Sequence, residues 1–190
     1  PQPGPQADAI TADWCDELLF GGARGGGKSD FLIGDFLQDV PTYGELWQGI
    51  VFRRTFDPEL KETMRRAQQL YPTTGATYLS GEREWRWPNG AILRLRYLEG
   101  PADAMLYQGH AYTWIGWDEL TQHATDEGYK FLIGSLRSAG GTVPTMRIRS
   151  TANPGGPGHD WVKERFAIGK HPLGYKPLVD PDTGMRRMFI

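Results

Sequence analysis

Gly22-Ala23-Arg24-Gly25-Gly26-Gly27-Lys28-Ser29 is the stretch that decides the fold. It fits G-x-x-x-x-G-K-[ST], the pattern of a loop that cradles phosphates. Gly22, Gly25, Gly26 and Gly27 allow backbone angles that side chains resist, so successive N–H groups can curl around phosphate oxygens. Lys28 brings a point charge to the β- and γ-phosphates, and Ser29 brings a hydroxyl to Mg²⁺. The helix that starts here turns its positive end toward the anion. The flanks agree. Glu17–Phe20 reads as a short buried strand, and Phe31, Leu32, Phe36 and Leu37 recur at helical spacing between Asp30 and Val40. Strand, glycine loop and helix in that order separate a nucleotide site from a glycine-rich surface turn.

Hydrolysis needs more than a phosphate cradle. Trp114-Ile115-Gly116-Trp117 reads as an apolar strand running straight into Asp118 and Glu119. In an open α/β sheet the carboxyl ends of strands form the ligand edge. There Asp118 would hold the Mg²⁺ shell and Glu119 would be the general base for an attacking water. The plain alternative is that the acidic pair only caps the next helix. Ser150-Thr151-Ala152-Asn153-Pro154 ends the next strand, and two readings of it stand. Either Asn153 and its neighbours touch the γ-phosphate or the water, or Asn-Pro is simply a strand-ending turn. Arg24 is open in the same way, between a γ-phosphate contact in cis and a solvated loop arginine.

A chain of 190 residues suits one α/β domain with a full core. The net charge of −2 removes any global basic field, although arginine outnumbers lysine. Cys15 is the one cysteine, which excludes an intrachain disulfide and a cysteine zinc site. No apolar run has membrane-spanning length, and no basic-then-apolar leader opens the sequence. The patterning predicts a short helix within residues 1–12, a strand over Gln48–Thr55 and a helix over Pro58–Leu70. It predicts antiparallel strands over Thr77–Leu79, Glu84–Trp87 and Ala91–Leu98, the last two joined at Asn89-Gly90. A helix capped by Thr125, a strand over Thr145–Thr151 and a helix over Asp160–Phe166 follow. Strands alternating with helices give a mostly parallel sheet flanked by helices, interrupted by one β-hairpin excursion.

With those residues in place, the chain resembles the N-terminal ATPase half of the large terminase subunit of tailed bacteriophages. Gly21–Ser29 resembles that family's arginine-bearing Walker A. Trp117-Asp118-Glu119-Leu120 resembles its Walker B with adjacent catalytic glutamate, and Ser150–Pro154 its coupling motif. Gln6, in Pro5-Gln6, resembles the glutamine that reads adenine, and Val51–Thr55 the strand after the P-loop helix. The resemblance implies a RecA-like (ASCE) P-loop NTPase fold over residues 1–190, binding ATP and Mg²⁺. It implies a homo-oligomeric ring that docks on the portal protein with the small terminase subunit and pushes double-stranded DNA into procapsids. It places the chain in the host-cell cytoplasm, transiently at the procapsid portal, with no membrane partner. The family's lid and nuclease half are expected beyond residue 190.

There are departures. Gln108 stands about where some members carry a trans-acting arginine finger; Arg137, Arg53 and Arg54 are replacements to weigh against structural ion pairs. Arg83, Arg86, Arg94 and Arg96 read either as a DNA or partner surface or as a solvated sheet face. Trp85 and Trp87 alternate on one strand face, as core residues do; Trp114 and Trp117 are expected to be buried. His110, His123, His159 and His171 have no metal-pair spacing. Two other functions remain open, a helicase- or recombinase-like ATPase and a nucleotide-binding module that works by assembly without turnover.

Overall fold

The computed structural model describes residues 1–22, 25, 27–144, 146–170 and 177–190. Ala23, Arg24 and Gly26 of the glycine loop lie outside the described residues, as do Thr145 and His171.

Among the described residues one sheet gathers nine strands: β1 (Glu17–Phe20), β2 (Gln48–Arg53), β3 (Thr77–Leu79), β4 (Glu84–Arg86), β5 (Ile92–Tyr97), β6 (Trp114–Trp117), β7 (Arg147–Thr151), β8 (Leu178–Val179) and β9 (Arg186–Phe189). Their spatial order is β3-β4-β5-β2-β6-β7-β1-β9-β8. The six from β5 to β9 run parallel. β3 and β4 add antiparallel pairs at one edge, and β8 adds one at the other. The mostly parallel sheet and the hairpin excursion both follow the sequence pattern.

Parallel strands bury both faces, and here the two-residue period divides the core in two. Leu18, Phe20, Val51, Leu93 and Trp114 point to one face. That face is covered by α1 (Pro5–Thr11), α2 (Lys28–Leu37) and α4 (Lys61–Leu70), through Ala9, Phe31, Phe36 and Ala67. Leu19, Ile50, Phe52, Ile115, Trp117 and Ile148 point to the other face. There α5 (Glu127–Ile133) supplies Tyr129 and Leu132, and α6 (His159–Arg165) supplies Val162. Phe36 anchors the first face. Its ring meets those of Trp47, Trp87 and Trp114 at centroid distances of 5.7, 5.5 and 5.5 Å. Such pairs add about 0.5–1.5 kcal/mol each beyond the area they bury. Gly49 is required beneath this ring, because a Cβ there would come within 2.4 Å of Phe36.

Strand ends and α6 shift by one or two residues from the pattern, and three other helix boundaries differ for reasons of local chemistry. The helix read over 30–40 is α2 followed by one separate turn, α3 (Val40–Tyr43). Pro41 has no N–H to donate back along α2, so the first helix ends before it. The helix read from Pro58 begins as α4 at Lys61, with Pro58 in the preceding turn. The cap position of α5 is Asp126 rather than Thr125, and no side chain caps it.

Candidate nucleotide and hydrolysis site

Register places the chemistry on one sheet edge. Phe20 of β1 lies opposite Thr151 of β7, Trp117 of β6 opposite Ser150, and Phe52 of β2 opposite Trp117. The residues that follow these pairs (the glycine loop, Asn153, Asp118 and Arg53) therefore leave the sheet side by side. β1 and β6 are separated by β7 alone, about 10 Å apart at ordinary strand spacing.

The loop side is built for an anion. Gly22, Gly25 and Gly27 all take left-handed backbone angles. Gly27 is fixed twice over: its φ is +70°, and a Cβ would come within 2.5 Å of Gln6 Nε2. Its carbonyl accepts the Phe31 N–H at 2.9 Å, opening α2, and the Gln6 amide at 2.8 Å. Gln6 Oε1 accepts the Gln2 N–H. The structure thus places Gln6 buried at the base of the loop, with both ends of its amide on backbone. Lys28, the first residue of α2, donates to the Gly22 carbonyl at 3.0 Å and closes the loop on itself. Burial pulls the Lys28 ammonium below its ordinary value, against the fields of Glu119 and Asp118, which push it up. Those two carboxylates are the charges that Lys28 feels across the edge. Ser29 follows in the first turn of α2. Arg24, Ala23 and Gly26, named as site residues from the sequence, fall outside the described residues.

The acidic side is more tightly tied than the motif suggests. Asp118 is buried, and both its oxygens are taken. Thr151 Oγ1 donates to Oδ1 at 2.7 Å, and Thr63 Oγ1 of α4 donates to Oδ2 at 2.9 Å. Arg53 Nε lies 2.9 Å from Oδ2. The same guanidinium reaches on to Glu119, with Nη1 3.3 Å from Oε2. The other Glu119 oxygen accepts Asn153 Nδ2 at 3.1 Å, and the Glu119 N–H donates to Thr151 Oγ1 at 3.0 Å. Glu119 holds φ = +59°, a left-handed conformation that a non-glycine residue adopts at a local cost. It occupies the cap position of the turn Leu120–Gln122 but makes no side-chain cap bond. The carboxylate therefore serves Arg53 and Asn153, and helix capping does not account for the acidic pair.

β7 connects this edge to a second charged cluster underneath. Arg147, Arg149 and Thr151 share the strand face toward α2. Arg147 Nε and Trp114 Nε1 reach Asp35 Oδ2 at 3.0 and 2.7 Å, and Arg149 Nε reaches Asp35 Oδ1 at 3.2 Å. Arg147 also pairs with Asp39 at 2.6 Å, and Arg149 donates to the carbonyls of Cys15, Ile148 and Ala12. Burial pushes the Asp35 carboxyl up, but Arg149, Arg147 and the Trp114 N–H outweigh it and hold the group below its ordinary value.

The remaining predicted residues sort as follows. Arg53 is an ion-pair partner of the site acids. Arg137 donates to the Gly109 carbonyl at 3.0 Å. Trp85, Trp87, Trp114 and Trp117 are core. Arg86 and Arg94 pair with Glu84, Arg83 lies over the Phe56 ring, and Arg96 binds backbone carbonyls. His159 accepts the Gly155 N–H, a local turn contact. Among the described residues no group of three or more His, Cys, Asp or Glu is placed to hold a metal unaided. The donors on the edge nonetheless suit a magnesium ion that arrives with a triphosphate. That ion takes one or two protein oxygens and fills the rest of its octahedron with phosphate and water. Ser29 and Asp118 are the residues that would supply those oxygens, and Asp118 already faces a cation in Arg53. Sequence reasoning missed Thr63. Its one signal is a small hydroxyl on the buried stripe formed by the cap residue Leu60 with Thr63 and Ala67 of α4.

No protein-family profile matches this sequence, and no curated protein matches it. Solved structures do. The large terminase of a thermophilic bacteriophage superposes with a TM-score of 0.68 at 14% identity, over 100% of this chain and 45% of its own. That protein has also been solved with ADP and with ATP-gamma-S. The HK97 bacteriophage large terminase superposes at 0.66 with 13% identity, over 96% of this chain and 40% of its own. The N-terminal domain of the DNA packaging ATPase from bacteriophage phi29 superposes at 0.62 with 15% identity, over 98% of this chain and 95% of its own. The fold is therefore the one these phage ATPase domains share. The chain spans about 45% of the length of the large terminase from the thermophilic phage.

Proposed function

We propose that this chain is the ATP-hydrolysing motor domain of a phage large terminase, driving double-stranded DNA into procapsids. The observation that carries the reading is the meeting of Lys28 with Asp118 and Glu119 on one sheet edge, beside Thr151 and Asn153. A fold match alone leaves function open, because one fold hosts many activities. The edge residues supply what the fold does not.

Lys28 and the N-terminus of α2 bind the β- and γ-phosphates. Ser29 and Asp118 would hold Mg²⁺, which would supply positive charge against the triphosphate. Glu119 orients the attacking water and takes its proton. In the arrangement described, both Glu119 oxygens are engaged by Arg53 and Asn153. Hydrolysis needs that grip released, and the Glu119 side chain, 31% exposed, has room to leave. Asn153 then couples loss of the γ-phosphate to movement of β7. Assembly into a homo-oligomeric ring on the portal protein, together with the small terminase subunit, belongs to the same reading. So does action in the host cytoplasm at the procapsid portal.

The test separates binding from turnover. Glu119→Gln is expected to keep ATP affinity by calorimetry while single-turnover hydrolysis falls about 10²–10⁴-fold. Lys28→Ala is expected to lose ATP binding. Equal hydrolysis by wild type and Glu119→Gln would overturn the proposal.

A further inference from the structure

Resemblance offers Gln6 as the reader of adenine, but its surroundings point elsewhere. A glutamine reads adenine with both ends of its amide at once: Oε1 accepts from N6 and Nε2 donates to N7. Here each end faces backbone. Nε2 donates to the Gly27 carbonyl at 2.8 Å, and Oε1 accepts the Gln2 N–H. Gln6 is 7% exposed, so its side chain would have to leave this seat to meet a base edge. The seat is fixed through α1. Gln6 and Ala9 stand one turn apart as the buried residues of that helix. Near its other end the Ile10 carbonyl accepts Gln38 Nε2 at 3.2 Å, so α1 is tied to both ends of α2.

The Gln6 bond acts on one peptide of the phosphate loop. A peptide unit is planar and trans, so the Gly27 carbonyl and the Lys28 N–H point in opposite directions. The carbonyl is held twice, by Gln6 Nε2 and by the Phe31 N–H at 2.9 Å. Pinning it sets the direction of the Lys28 N–H, at the helix end that favours an anion. We propose that Gln6 is a positioning residue for the phosphates and does not read the base: its amide holds the Gly27–Lys28 peptide in the anion-binding direction. The inference rests on the reading of this loop as a triphosphate site. Its consequence is that the part of the ligand that depends on Gln6 is the polyphosphate, whatever base it carries.

Inorganic tripolyphosphate, which has no base, is the probe, with ATP and GTP beside it. Each is titrated by calorimetry, with Mg²⁺ present, into the wild-type chain and into Gln6→Met, which keeps the side-chain length and removes the amide. Gln6→Met is expected to weaken all three about five- to tenfold, the worth of one hydrogen bond, and to leave the ratio of ATP to GTP affinity unchanged. A loss confined to ATP would overturn the proposal. So would unchanged affinity for tripolyphosphate beside a lowered unfolding midpoint, which is what a packing role alone predicts. If Gln6→Met does not fold, the ¹⁵N-labelled wild-type chain decides. The Gln6 side-chain NH₂ resonances are expected at one position with ATP, GTP and tripolyphosphate, and a position peculiar to ATP would overturn the proposal. A wild-type chain that binds none of the three would overturn the triphosphate site and the role of Gln6 together; one that binds all three while Gln6→Met weakens ATP alone would overturn only the role of Gln6.

Discussion

Strand β7 carries two charged clusters that are built from similar parts and behave differently. Below the edge, Asp35 sits among Arg147, Arg149 and Trp114, wholly buried, with every Asp35 oxygen and most arginine donors committed. At the edge, Asp118 and Glu119 share a single guanidinium, and Glu119 is partly exposed. Ser150 Oγ and Asn153 Oδ1 are buried there without partners. The lower cluster has nothing left to exchange, so it fixes α2 on β7. The upper one has spare acceptors and one shared cation, which suits groups that change partners when a nucleotide arrives. The difference separates charge that holds the P-loop helix in place from charge that works.

Breaking each cluster tests that division. The largest effect is expected at the edge and in rate: Glu119→Gln should lower hydrolysis about 10²–10⁴-fold while the unfolding midpoint hardly moves. Asp35→Ala should do the reverse. It leaves buried Arg149 without a carboxylate and Arg147 with Asp39 alone, and should cost about 3–5 kcal/mol in denaturant unfolding. If Asp35→Ala lowered turnover at unchanged stability, the division would fail.

Acid separates the clusters next. Burial and the charge of Arg54 press His123, just past the acidic pair, from 6.5 to about 4. A histidine depressed on folding contributes its full stability above pH 6.5, and loses it as pH falls toward 4, because the unfolded chain binds the proton first. Up to about 3 kcal/mol should disappear in that window, and His123→Asn should flatten the slope. Asp35, held below its ordinary value, stays ionised throughout. The smallest effect is expected at Arg137, which touches only exposed carbonyls. Arg137→Ala should stay within about 0.5 kcal/mol of wild type, measured by the same unfolding curves.

Much of this was legible in the sequence, for identifiable reasons. The glycine loop, the β6 run into Asp118-Glu119 and the β7 tip are local patterns, and a parallel sheet aligns strand ends without further instruction. The Asn89-Gly90 hairpin was readable for the same local reason. The partners of Asp118 were not. Arg53 and Thr63 lie 65 and 55 positions before it, and only sheet order and helix packing bring them together. Arg147 and Arg149 were harder still: arginine is seldom fully buried, and the carboxylate that makes it possible sits on α2, far away in sequence. Strands β8 and β9 follow a weakly patterned stretch, and β9 is fixed chiefly by pairing with β1.

The most direct measurement is a structure of this chain with Mg²⁺ and a non-hydrolysable ATP analogue. The triphosphate is expected on Gly27, Lys28 and Ser29, with Asp118 in the magnesium shell and Arg53 drawn away from Glu119. A triphosphate seated elsewhere, or Arg53 still holding both carboxylates with the nucleotide in place, would contradict the account.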